Sequence, residues 1–120
     1  MKALLSAGGT GGHLFPAAAL ASALAARGHG VELVTDKRAK PFLDTFPADR
    51  VHLVAAATLS GKNPVAAARM VATNGVGLLR TMLITRAGKP DVAIGFGGYP
   101  TLAPINAARL MGVPTIVHEA

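Results

Sequence analysis

The chain of 120 residues contains no cysteine and no tryptophan, and aromatic residues make up only 4% of it. Without cysteine there is no disulfide framework and no thiolate metal site. With one tyrosine, and no basic run interleaved with aromatics, the usual stacking platform for nucleic acid is missing, so no nucleic acid is expected among the partners. Long apolar runs are missing as well, because Arg, Gly or Pro interrupts each before it could span a bilayer. The apolar run after Lys2 is short and leads into glycines rather than a cleavage site, so no secretory leader is read there and a cytosolic domain is expected. Acidic residues are scarce: six against twelve Lys and Arg, for a formal net charge of +6. That excess suits nucleotides, phosphates or an anionic membrane face, and it is equally compatible with a merely solvated basic surface.

Apolar residues and glycine are abundant. Hydrophobic residues are 51% of the chain, enough for one domain with a core built from Ala, Leu and Val. The glycines are concentrated in two places. Gly8-Gly9-Thr10-Gly11-Gly12-His13 follows the apolar run Ala3-Leu4-Leu5 and precedes an Ala/Leu-rich run from Leu14. Strand, glycine loop and helix start thus fall in one segment, where free backbone amides and the helix dipole favour an anion, usually a phosphate. Gly95-Phe96-Gly97-Gly98-Tyr99-Pro100 follows Val92-Ala93-Ile94 in the same way.

Strands are expected over residues 2–7, 31–35, 51–55, 92–96 and 115–118, and helices over 14–27, 64–86 and 102–111. Pro16 is placed in the first turn of its helix, where proline is tolerated. Residues 36–50 read as polar and proline-marked, with one helical turn near Phe42, and residues 58–63 as a loop. Asn74-Gly75 and Gly77 predict a kink or break in the long helix, since glycine costs roughly 1 kcal/mol there. Strand and helix alternate, which predicts an α/β fold: a doubly wound parallel sheet of order 3-2-1-4-5 with helices on both faces. In that order the first and fourth strands are neighbours at the switch point, so the two glycine loops come side by side where ligands bind.

The first loop has His13 where a Walker A loop needs Lys, and Leu14 where a dinucleotide fingerprint needs its third glycine. Asp36 after the second strand still suits a ribose hydroxyl, with Lys37 and Arg38 near for a 2′-phosphate, so a nicotinamide-dinucleotide domain stays open as an alternative. A glycine turn that serves only tight strand–helix packing stays open too. His13, in the first turn of a helix and facing the crevice, suits a general base, or a ring that only hydrogen-bonds its loop. His118 and Glu119 end the last strand on the same edge. Tyr99 reads as a ligand contact or as the start of the next helix. His29 and His52 have no constellation and read as structural. Lys62, Arg69, Arg80, Arg86 and Lys89 decorate a segment with Val65, Met70, Val71, Val76, Leu78, Leu79, Met82 and Leu83; it reads as a core helix with a charged outer face, or as a membrane-surface patch, which would also fit a non-catalytic module.

Gly8-Gly9-Thr10-Gly11-Gly12-His13-Leu14-Phe15-Pro16, Lys89-Pro90-Asp91-Val92, Gly95-Phe96-Gly97-Gly98-Tyr99-Pro100 and Gly112-Val113-Pro114 leading into His118-Glu119 resemble, in order and spacing, the amino-terminal domain of the MurG family. The resemblance implies a Rossmann-like domain, the amino-terminal half of a GT-B glycosyltransferase. It implies inverting transfer of N-acetylglucosamine from UDP-N-acetylglucosamine to the 4-hydroxyl of undecaprenyl-diphosphate-linked muramoyl-pentapeptide in peptidoglycan synthesis. No cofactor and no DxD metal site go with it, and the expected place is the cytoplasmic face of the bacterial inner membrane, as a peripheral protein on its anionic surface. It implies that Gly8, Gly9, Thr10, Gly11 and Gly12, with Gly95, Gly97, Gly98 and Tyr99, bind substrate, that Thr10, Gly11 and Gly12 also reach the donor, that His13 is the catalytic base and that Glu119 assists it. Ala120 stands where the family has Gln. The resemblance therefore implies one acceptor-binding domain over residues 1–120, incomplete at its last strand, without the donor-binding second domain and inactive alone.

Overall fold

The computed structural model describes residues 1–54, 63–98 and 101–118. Five strands, β1 (Lys2–Ser6), β2 (Gly30–Thr35), β3 (Arg50–Leu53), β4 (Val92–Gly95) and β5 (Thr115–Val117), form one sheet of order β3-β2-β1-β4-β5. All four pairings are parallel. Three α-helices, α1 (Gly11–Ala26), α2 (Pro64–Gly88) and α3 (Leu102–Leu110), and a 3-10 segment (Lys37–Thr45) connect them. The expected doubly wound α/β order is the order observed.

The two-residue period of the strands sorts the core. Register pairs Ala3 with Val31 and Val92, and Leu5 with Leu33 and Ile94. Ala3, Leu5, Ala7, Val31, Leu33, Ile94 and Phe96 pack with Leu14, Ala17 and Ala21 of α1 and with Ala39 and Phe46. The alternate positions Leu4, Val34 and Ala93, with Val54, meet Ala108 of α3, Ile105 and Ile84 of α2. Both faces are thus covered, as a parallel sheet requires. Leu5 and Leu33 are fully buried, and each such side chain contributes about 1.5–3 kcal/mol.

Four local expectations are corrected. Helix α1 begins at Gly11 rather than Leu14, with Thr10 as its N-cap, so half of the glycine loop is the first helical turn. Pro16 consequently sits one turn inside the helix, where it removes the amide that would have bonded the Gly12 carbonyl. Residues 36–50 hold a nine-residue 3-10 segment rather than one turn, started by the Asp36 carboxylate accepting the Arg38 amide. Helix α2 runs through Asn74, Gly75 and Gly77 without a break. There Gly77, Thr81 and Thr85 form the buried stripe, and the Thr81 and Thr85 hydroxyls donate to the carbonyls of Gly77 and Thr81 at 2.6 and 2.8 Å. Small size on the packed face outweighs the weak helix propensity of glycine. Of the loop expected over 58–63, only Asn63 lies within the described residues, and its side chain caps α2 by accepting the Val65 amide.

Candidate functional site

Because β1 and β4 are neighbours, the loops that follow them meet at the carboxyl edge of the sheet. The Gly8 amide donates to the Gly97 carbonyl at 2.9 Å. The same carbonyl accepts the Thr101 hydroxyl at 2.8 Å, and the Thr101 amide donates to the Gly98 carbonyl at 3.1 Å. One carbonyl thus pins both loops to the start of α3. A trans peptide is planar with N–H and C=O pointing opposite ways. The Gly98 amide shares its plane with the Gly97 carbonyl and so points away from this pin, off the rim. The Thr10 carbonyl accepts the His13 and Leu14 amides at 3.1 and 2.9 Å, so the Gly11 amide in that plane points out from the start of α1. The Gly12 amide, in the first turn, has no intrahelical acceptor either. None of these three amides donates to a described backbone group.

The glycines of the two motifs play different parts. A Cβ on Gly8 would lie 2.8 Å from His13 Nδ1 and 3.3 Å from the Gly98 Cα, and one on Gly98 would lie 2.9 Å from the Gly8 Cα. These two permit a backbone-to-backbone approach, and Gly97 and Gly98 also hold φ of +97° and +87°. Gly9 is pressed against the turn after β2: its Cβ would meet the Asp36 carboxylate and lie 2.8 Å from the Ala39 amide nitrogen. A Cβ on Gly12 would meet nothing within 4 Å. Gly95 does not belong to the rim; it is buried in β4, where a Cβ would lie 2.5 Å from Thr101 Cγ2 and 3.1 Å from Ile105 Cγ1, and it makes room for α3. Tyr99 and Glu119 lie outside the described residues.

His13 is half-buried in the first turn of α1, with Nδ1 3.0 Å from Thr10 Oγ1. When Nδ1 carries the ring proton and donates to this hydroxyl, Nε2 keeps a lone pair and can take a proton. His118 follows β5 on the same edge. Its amide donates to the Gly95 carbonyl at 2.8 Å, and its ring lies 5.5 Å from that of Phe96.

Asp36 is not a free ribose ligand. Its Oδ2 accepts Arg38 Nε and Nη2 at 2.9 and 2.6 Å, and its Oδ1 accepts the Arg38 amide at 3.0 Å. Burial pushes its carboxyl up, but the hydrogen bonds and charge of Arg38, with the Gly9 amide, outweigh this and hold it below the ordinary carboxylate range. The nicotinamide alternative thereby loses its acidic residue. His52 is not isolated either: Nε2 lies 2.8 Å from Glu32 Oε1. This pair lines a hollow of about 420 Å³ with Lys2, Arg50 and Arg80 at the amino-terminal edge of the sheet. That edge is opposite the glycine loops, so this hollow is not part of the candidate site. The role of Thr101 escaped the sequence, where a threonine before a helix reads as a cap; its hydroxyl turns back to the loop instead.

The family model described as the glycosyltransferase family 28 N-terminal domain matches residues 3–120. The chain is 54% identical over 116 residues to the UDP-N-acetylglucosamine--N-acetylmuramyl-(pentapeptide) pyrophosphoryl-undecaprenol N-acetylglucosamine transferase of Allorhizobium ampelinum, covering 97% of this chain and 31% of that relative. Among solved structures it is similar to Acinetobacter baumannii MurG, with a TM-score of 0.75 and 27% identity over 98% of this chain and 34% of that one. Its fold is also that of the glycosyltransferase SnogD from Streptomyces nogalater, with a TM-score of 0.69 and 22% identity over 98% of this chain and 33% of that one. The chain thus spans about a third of the length of the proteins it matches.

Proposed function

The chain belongs to the glycosyltransferase family 28 N-terminal domain family, and from that premise we propose that it is the acceptor-binding domain of a transferase for the lipid-linked peptidoglycan precursor. The whole enzyme would move N-acetylglucosamine from UDP-N-acetylglucosamine to the 4-hydroxyl of undecaprenyl-diphosphate-linked muramoyl-pentapeptide, with inversion. The observation that carries this reading is the close approach of the two glycine loops, Gly8 against Gly97, Gly98 and His13, with the amides of Gly11, Gly12 and Gly98 left without a described backbone acceptor. These amides, with the positive end of the α1 dipole, suit the acceptor's diphosphate. His13 Nε2 would take the proton of the attacking 4-hydroxyl as its oxygen bonds the donor's anomeric carbon and the bond from that carbon to UDP breaks, UDP leaving in the same step, with Glu119 assisting and Thr10, Gly11 and Gly12 reaching the donor. A second domain would bind the donor, so this chain by itself is expected to transfer nothing. The test is an assay with labelled UDP-N-acetylglucosamine and the lipid-linked acceptor. Transfer by the whole enzyme that carries this domain, and none by the 120-residue chain, is expected; a whole enzyme inert toward that acceptor overturns the reading.

The same proposal covers the membrane. Among the described residues no helix is long and apolar enough to cross one. Val65, Val76, Leu79 and Leu83 of α2 are 61–68% exposed and share one helical face. Arg69 and Arg80 flank that face on one side and Arg86 on the other, an arrangement suited to an anionic bilayer surface at the cytoplasmic side. The double variant Leu79→Gln/Leu83→Gln should keep its fold, because neither side chain is in the core, and should lose most co-sedimentation with anionic vesicles. Equal binding of the unaltered chain to neutral vesicles contradicts the electrostatic part.

A further inference from the structure

We infer that Asp36 is a positioning residue for the first glycine loop: from the end of β2 its carboxylate fixes Gly9, and through Gly9 the direction of the Gly11 and Gly12 amides. The inference rests on the reading that these amides meet the acceptor's diphosphate. Three observations on two elements support it. The Asp36 side chain is only 13% exposed although it ends a strand. It is locked by three bonds from Arg38, two of them from the guanidinium to one oxygen. Gly9 lies so close to this turn that a Cβ would collide with the carboxylate, the Ala39 amide and Arg38 Cβ together. Glycine is therefore required at position 9 by the turn rather than by a ligand.

The physical consequence is a division of labour among successive amides. Gly8 is tied to the second loop through the Gly97 carbonyl, and Gly9 is packed against the turn after β2, at Asp36 and Ala39. With both held, the next peptide planes have little freedom, and the amides of Gly11 and Gly12 are aimed before any ligand arrives. Preorganisation of this kind improves affinity by removing an ordering cost at binding. Arg38 has a supporting part, holding the carboxylate that holds the loop.

The test uses the ¹⁵N-labelled chain and inorganic pyrophosphate. In the unaltered chain the Gly9 amide proton is expected to shift as the Asp36 carboxyl is protonated, below the ordinary carboxylate range. Asp36→Asn should abolish that titration and weaken pyrophosphate binding roughly tenfold, the scale of one charge-assisted hydrogen bond. Arg38→Gln should weaken binding less and move the Gly9 titration toward ordinary carboxylate pH. The control is Asp49→Asn, which removes another carboxylate that accepts a backbone amide, that of Val31 at 2.9 Å, at the far edge of the sheet. It should lower thermal stability and leave pyrophosphate binding unchanged. If the unaltered chain binds pyrophosphate and both the Asp36 and Arg38 variants bind equally well, the positioning role is overturned while the diphosphate reading stands. If the unaltered chain does not bind, the diphosphate reading fails. A Gly9 amide indifferent to protonation of Asp36 overturns the positioning role by itself. Should Asp36→Asn not fold, Arg38→Gln decides in its place.

Discussion

Replacing His13 by alanine in the whole enzyme is expected to lower kcat by about 10²–10⁴-fold, the range that a positioned acid or base supplies. The KM for UDP-N-acetylglucosamine should change little, because a base acts in the transition state rather than on the bound donor. The expectation follows from placement. The ring stands in the first turn of α1, half-buried, with Nδ1 3.0 Å from Thr10 Oγ1, and in the tautomer whose Nδ1–H donates to that hydroxyl, Nε2 is the atom able to accept a proton. Because the ring lies against Gly8 and bonds Thr10 Oγ1, its removal also costs packing, and denaturant unfolding of the variant separates lost stability from lost chemistry. Steady-state kinetics at saturating donor and acceptor checks the claim. A kcat within a few-fold of the unaltered enzyme removes His13 from the chemistry.

Gly98→Ala and Gly12→Ala should behave in opposite ways. At Gly98 an alanine meets two independent obstacles: a φ of +87°, and a Cβ 2.9 Å from the Gly8 Cα, which is backbone and cannot rotate aside. The first costs about 1–2 kcal/mol and the overpacking about 1–3 kcal/mol, so a loss of roughly 2–5 kcal/mol is expected, a large part of the stability of a domain of this size. At Gly12 an alanine has helical surroundings and meets nothing within 4 Å. It should stabilise the chain by up to about 1 kcal/mol while obstructing a ligand that approaches the backbone. Denaturant unfolding and pyrophosphate affinity, measured on both variants, separate the two roles. Gly12→Ala that binds as well as the unaltered chain argues against close approach at α1, and Gly98→Ala with unchanged stability argues against the pinned contact between the loops.

The sheet order and the meeting of the two loops were legible because they follow from alternation of strand and helix, a property of hydrophobic pattern and of the handedness of crossovers. The 54% identity to the Allorhizobium transferase bears out the family resemblance that the glycine motifs carried. The fine aim of the site was not legible. Which amides face outward depends on the Gly97 carbonyl accepting two donors, one of them from Thr101, and such a bond has no sequence signature. Asp36 is a residue that either a ribose or a loop amide can use, and only the proximity of Gly9 and Arg38 decides between them. The unbroken α2 shows the same limit. Glycine propensity is local, whereas the Gly77–Thr81–Thr85 stripe is favoured by what packs against it.

The claim on which the rest depends is that two glycine loops present their amides together to one diphosphate. A ¹⁵N-resolved titration of the chain with pyrophosphate addresses it residue by residue. The amides of Gly11, Gly12 and Gly98 should shift along a single binding curve, with Gly8, already bonded to Gly97, moving little. Shifts at Gly11 and Gly12 without Gly98, or a response centred on Arg50 and Arg80 at the opposite edge, would contradict it.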